Sequence, residues 1–183
     1  MIRIIDITLS ILGLIIFSPL IAFVYLIIYK ESKSPFFIQQ RLGKKMKKFL
    51  LVKFRTMSLG TGDYATHLVE PSKISKFGNV LRKTKLDELP QLWNVLKGEM
   101  SIVGPRPCLI NQKKLIKARQ KFKIYDVKPG ITGLAQIKGI DMSDPLLLAK
   151  TEYKMLKNFN IFYYFYYIFL TLIGFGFGDR VNN

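Results

Sequence analysis

The chain is nearly without thiol and imidazole: Cys108 is its one cysteine and His67 its one histidine. A lone cysteine excludes an internal disulfide and suits a reducing compartment. One of each cannot build an ordinary zinc site, so any metal is a hard ion held by carboxylate and phosphate oxygens. Acid is scarce as well, with 12 Asp and Glu against 29 Lys and Arg, a net charge of +17. Such a surplus calls for an anionic partner: nucleic acid, anionic lipid or a phosphorylated substrate. Yet 49% of the residues are hydrophobic, and charge and apolar character are segregated along the chain. That segregation favours a membrane-bound protein over a nucleic-acid binder. At 183 residues the chain is one domain with room for an appendage.

Ile4 to Ile28 is nearly all apolar. As one helix it would be about 38 Å long, enough to cross a hydrocarbon core of about 30 Å. Ser18-Pro19 predicts a kink, because proline lacks the N–H and clashes with the carbonyl four residues earlier. Two readings follow: a kinked spanning anchor, or a re-entrant hairpin that leaves by the face it entered. Lysines crowd the C-terminal flank, which the positive-inside rule places in the cytoplasm, and Arg3 favours the same side for the N-terminus. Arg3 and Asp6 are i, i+3 neighbours and are expected to pair or to be ordinary flanking charges.

Phe36 to Gln40 and Phe49 to Phe54 read as strands joined by a Lys-rich turn after Gly43. Those lysines suit an anionic membrane surface, at about 1 kcal/mol each, or a solvated turn. Ser58 to Ser75 reads as a loop, with His67 a surface residue. Asn111 to Lys123 predicts a basic amphipathic helix with Leu115, Ala118, Arg119 and Phe122 near one face, packed on the core or laid on a membrane. Pro129, Gly130 and Gly133 predict a tight, backbone-exposing loop. Ile161 to Ile173 is too short for a span and rich in tyrosine, so an interfacial helix is expected rather than a second crossing. The tail from Gly174 is loop-like.

Leu81 to Pro107 reads LRKTKLDELPQLWNVLKGEMSIVGPRP. Asp87 and Glu88 are adjacent acids in a basic chain. Leu89, Leu92, Trp93 and Leu96 follow with the spacing of one apolar helix face, which makes Trp93 a core residue. Pro90 fits a first helical turn and Gly98 a stop. Asp87 is therefore expected at or just before a helix N-terminus, where free N–H groups favour phosphate. Such acids are also ordinary caps. Arg82, Lys85 and Arg106 supply guanidinium and ammonium groups around them, although Arg106 between two prolines also suits a structural clamp.

KFRTM at Lys53 to Met57, LDELPQLWNVLKGEMSIVGPRP at Leu86 to Pro107, and PGITGLAQ at Pro129 to Gln136 together resemble the bacterial sugar transferases. More narrowly they resemble the small monotopic polyprenyl-phosphate phosphoglycosyl transferases. The resemblance implies a mostly helical α+β chain with a small β region. Residues 1–29 would be a re-entrant membrane helix broken at Ser18 and Pro19. Residues 30–183 would be a catalytic domain on the cytoplasmic face of the bacterial inner membrane, with interfacial amphipathic helices. It implies transfer of a sugar phosphate from a UDP-sugar to undecaprenyl phosphate, with release of UMP. Asp87 would be the nucleophile, Glu88 its aligning partner, and both would meet Mg²⁺. Arg82, Arg106, Lys53, Arg55, Pro105 and Gln136 would bind substrate. Membrane phospholipid is an implied partner, nucleic acid is not, and a homo-oligomer stays open. Ile137-Lys138-Gly139-Ile140-Asp141 departs from the Asn-Gly-Arg of many relatives, which leaves the sugar open. The chain has the look of the minimal form, without the extra N-terminal spans of larger relatives. The competing readings are a basic membrane-surface adaptor, a nucleic-acid-binding protein, and a two-span membrane scaffold without chemistry.

Overall fold

The computed structural model describes residues 1–58, 60 and 74–174. His67, most of the Ser58–Ser75 loop and the tail beyond Gly174 lie outside the described residues. The fold is α+β with helix predominant. Its helices are α1 (Ile2–Ile16), α2 (Ser18–Ser32), α3 (Lys76–Thr84), α4 (Gln91–Lys97), α5 (Lys113–Lys121), α6 (Leu134–Ile137), α7 (Pro145–Lys157) and α8 (Ile161–Leu172). Its strands are β1 (Phe36–Leu42), β2 (Lys48–Phe54), β3 (Ser101–Val103), β4 (Cys108–Leu109) and β5 (Gly130–Thr132).

The apolar N-terminal stretch breaks at Phe17, and its two helices meet at a bend of 62°. Pro19 has no N–H to offer the carbonyl of Ile15, and the Ser18 hydroxyl donates to that carbonyl instead at 2.8 Å. No single helix among the described residues is long and apolar enough to cross a membrane; the bent pair together passes on length and composition. The second helix continues past residue 29 to Ser32.

Arg3 and Asp6 do not serve each other, contrary to the i, i+3 expectation. Arg3 donates to the carbonyls of Val95 and Leu96 at 2.6 and 2.9 Å, at the end of α4. Asp6 is buried and accepts from Ser101 Oγ (3.0 Å), the Ile102 amide (2.9 Å) and Tyr164 Oη (2.7 Å). A carboxylate on an apolar helix is tolerable only with such donors, so tertiary partners win over the helical neighbour. Asp6→Leu would strand three buried donors and is expected to cost about 2–4 kcal/mol. Thermal unfolding in detergent checks this, and an unchanged Tm would show that Asp6 does not fasten α1.

β1 and β2 form the expected hairpin, in register from Phe36 opposite Phe54 to Leu42 opposite Lys48. β4 adds to the other side of β1, giving the order β2-β1-β4. The exposed edge of β2 is closed by an unexpected device, the side chain of Asn94 on α4. Its Oδ1 accepts from Val52 N at 3.1 Å and its Nδ2 donates to Leu50 O at 2.7 Å, as a neighbouring strand would. α4 therefore buries Gln91, Asn94 and Val95. Trp93 is 55% exposed, not core as its spacing suggested. Leu92, from the apolar set, meets α1 at Gly13.

The segment read as a backbone-exposing loop is in part a strand, and its backbone is closed off. β5 pairs in parallel with β3, and its first residue, Gly130, packs against Gly104 just past the end of β3. Gly104 N donates to Thr132 O and Gly130 N to Pro105 O, each at 2.8 Å. α5 packs on the core through Leu115 and Arg119 and leaves Lys113, Lys114, Lys117 and Lys121 exposed. α8 buries Tyr164 and Tyr167 and exposes Phe162, Phe165, Phe169 and Leu172. At 12 residues it is about 18 Å long, too short to cross a bilayer.

Candidate active site

The two acids sit in a tight turn between helices. α3 is capped by Ser75, whose hydroxyl accepts from Gly78 N at 2.9 Å, and it ends at Lys85 in the left-handed region (φ 59°). That residue turns the chain sharply into a 3-10 turn, Leu86–Glu88, which carries both acids. α4 starts three residues later, at Gln91, and ends as expected at Gly98 (φ 83°). Asp87 therefore lies just before the helix. Several nearby amides are already used, with Leu89 N bonded to Leu86 O and Leu92 N to Leu89 O. Cationic side chains, more than a helix end, supply the local positive field.

Asp87 is 4% exposed. Glu88 Oε1 lies 3.2 Å from Lys53 Nζ and 3.9 Å from Arg106 Nη2. These groups open on a small cleft lined by Arg41, Lys53, Glu88, Gln91, Arg106 and Pro107, with Leu51, Gly130 and Ile131 beneath. Burial pulls the Lys85 ammonium below the usual lysine range; Glu88 opposes that and Arg106 adds to it. Three cations thus line a part-buried cleft with one carboxylate, and a fourth lies within their field. A surplus of fixed positive charge between low-dielectric walls concentrates anions, and diphosphate suits its density.

The structure brings Glu88, Lys53 and Arg106 together, with Asp87 buried next to Glu88 in the same turn and the Pro105 carbonyl held by its bond from Gly130. Arg82 is buried one turn before the acids and donates to Thr56 Oγ1 at 2.8 Å, which ties α3 to the end of β2. Arg55 is drawn elsewhere: it donates to the Ser34 and Phe36 carbonyls and the Ser34 hydroxyl, where α2 passes into β1. Gln136 donates to Gly104 O at 3.3 Å, while its Oε1 is buried without a hydrogen-bond partner among the described residues. Ser18 and Pro19 belong to the bend and not to the cleft. Sequence reasoning missed Arg41 and Gln91. Arg41 was signalled by strand alternation, which turns it inward, and Gln91 by being a polar residue next to a helix start.

Carboxylates and cations at a helical turn also occur as plain ion-pair clusters, so comparison with known proteins decides the family. The family described as bacterial sugar transferase matches residues 1–177. The chain belongs to this family. An uncharacterized sugar transferase, EpsL, from Bacillus subtilis is 43% identical over 138 residues, 75% of this chain and 68% of the relative. The Aeromonas hydrophila UDP-N-acetylgalactosamine-undecaprenyl-phosphate N-acetylgalactosaminephosphotransferase is 33% identical over 188 residues, 96% of this chain. The Klebsiella pneumoniae UDP-glucose:undecaprenyl-phosphate glucose-1-phosphate transferase is 40% identical over 144 residues, 75% of this chain. The sugar transferase chain described here spans 44% and 30% of those last two relatives.

Proposed function

We propose that this sugar transferase moves a sugar phosphate from a UDP-sugar to a polyprenyl phosphate, undecaprenyl phosphate in bacteria, and releases UMP. That is the first membrane step in building an O-antigen, capsule or exopolysaccharide. The observation that supports it most is buried Asp87 beside Glu88, with Lys53 and Arg106 converging on the cleft. Asp87 attacks the β-phosphorus; a P–O bond forms to its carboxylate and the bond to UMP breaks. An oxygen of the lipid phosphate then attacks the same phosphorus and returns Asp87 to its free carboxylate. A carboxylate is competent at phosphorus when it stays ionised, which surrounding cations favour. Lys53 and Arg106 hold Glu88 and face the diphosphate, and Arg41 adds charge from β1.

No group of three or more metal-ligating acids, histidines or cysteines occurs among the described residues. Two adjacent carboxylates still fit Mg²⁺, which is commonly bound by one or two of them plus substrate phosphates. Asp87 and Glu88 would hold it, and when bound it neutralises phosphate charge.

The bent apolar pair reads as a re-entrant anchor in the inner membrane, with the catalytic body on the cytoplasmic face and the aromatic side of α8 against phospholipid. Both substrates' phosphates then meet at headgroup depth. A cysteine at residue 2, as Ile2→Cys, should escape a membrane-impermeant maleimide applied from the periplasm. Cys108 is fully buried and does not compete. Adding Pro19→Ala should straighten the segment and expose that cysteine; labelling without the second change would sink the hairpin. For the reaction, the protein in detergent with Mg²⁺, undecaprenyl phosphate and a panel of UDP-sugars should release UMP from at least one. No release from any would reject the transferase reading.

A further inference from the structure

The tripeptide Pro105-Arg106-Pro107 has one backbone N–H, because proline carries none. That amide, at Arg106, donates to the carboxylate of Glu152 on α7. The carbonyl before it, Pro105 O, accepts from Gly130 N at 2.8 Å. The carbonyl after it, Pro107 O, accepts from Arg41 Nη1 at 3.0 Å. Three elements thus grip the strap by its backbone, while the Arg106 side chain is left to reach Glu88.

Glu152 is 0% exposed and is itself held by Arg119, which is 2% exposed. The contact is two-pronged, with Arg119 Nε donating to Oε2 at 2.8 Å and Nη2 to Oε1. A buried ion pair is a poor way to gain stability, because each ion loses hydration worth several kcal/mol, and apolar side chains of similar volume often fold as well. What apolar residues cannot supply is an acceptor for the Arg106 amide. α5 and α7 meet here behind the cleft, and the pair joins them to the strap that carries a cleft cation.

We propose that Glu152, oriented by Arg119, is a positioning residue that fixes the backbone of Arg106 and so aims its guanidinium at the phosphate-bearing cleft beside Glu88. The proposal rests on the transferase reading above. It predicts that the pair matters to substrate phosphate only through Arg106.

The test is a mutant cycle read as kcat for UMP release and as Kd for UDP by calorimetry. Arg119→Leu with Glu152→Leu removes both charges together and should stay folded, yet lose roughly 10- to 100-fold in kcat, the scale of a misplaced catalytic group. Arg119→Leu with Glu152→Gln keeps an amide oxygen for the Arg106 N–H and should recover to within about threefold of the parent. In an Arg106→Ala background the double leucine change should cause no further loss, because the coupled path is already cut. Should the leucine pair fail to fold, Glu152→Asp keeps the charge but retracts it by one methylene, and it should lower kcat only while Arg106 is present. Full activity of the leucine pair, or an equal loss with and without Arg106, overturns the proposal. If the parent protein releases no UMP, the transferase reading falls, and the same cycle in UDP affinity judges the positioning role. A parent that binds no UDP removes both.

Discussion

Asp87→Asn is expected to lower UMP release by at least about 10⁴-fold, the scale on which loss of a covalent nucleophile is felt. The amide has the shape of the carboxyl, so the buried turn at residues 86–88 keeps its packing and the Tm should hold. An amide is no nucleophile at phosphorus, so the first step has no attacking oxygen. The effect should fall on kcat, with UDP affinity little changed, because the cations of the cleft remain. Mass spectrometry of the intact protein adds a second readout. With a UDP-sugar and no lipid phosphate, the parent should gain the mass of a phosphosugar and Asp87→Asn should not. Activity retained by Asp87→Asn would remove Asp87 as the nucleophile.

Gly130→Ala is expected to be among the most damaging one-methyl changes in the molecule. A Cβ there would lie 2.0 Å from Gly104 N, 2.6 Å from Gly104 Cα and 2.6 Å from Val103 C. All three are backbone atoms, so no flexible side chain can yield, and β5 must part from the end of β3. Overpacking of this kind costs about 3 kcal/mol or more. For a chain of this size that is a fall in Tm of about 6–12 °C. Gly130 also holds the Pro105 carbonyl and lines the cleft, so UMP release should drop even below the melting range. Thermal unfolding by circular dichroism, beside the UMP assay, measures both. A shift of less than about 2 °C would show that β5 and the end of β3 part easily.

Features dictated by local chemistry were legible in the sequence. The hairpin followed from β-rich runs around a Lys-rich turn, the bend from proline's missing N–H, and the end of α4 from Gly98. The Asp87-Glu88 turn was found because acids are rare in this chain. Features set by distant partners were not legible. Parallel pairing of β3 with β5 joins residues 101–103 to 130–132, and strands of three residues carry too little periodicity to announce themselves. The inward face of α4 was misread because apolar spacing points to Leu92 and Trp93. The helix instead turns Asn94 inward to complete the backbone edge of β2, a use of amide groups that no hydropathy pattern encodes. Local spacing offers Asp6 only Arg3 or the role of a flanking charge, because its three donors lie about a hundred residues or more away. Arg119 falls near the inward face of α5 by spacing, but the buried Glu152 that it pairs with looks like a surface residue until that partner is in view.

The partners of α1 also set an order of events during synthesis. Arg3 waits for Val95, 92 residues on; Asp6 waits 95 residues for Ser101 and 158 for Tyr164. Until α8 is made, a carboxylate on an otherwise apolar segment has not met all its donors, and lipid supplies none. Long-range contacts of this kind form late, because the intervening chain must be ordered before they close. α1 is therefore translated before every one of these partners and settles after them, and its final seating reports that the body of the fold is complete.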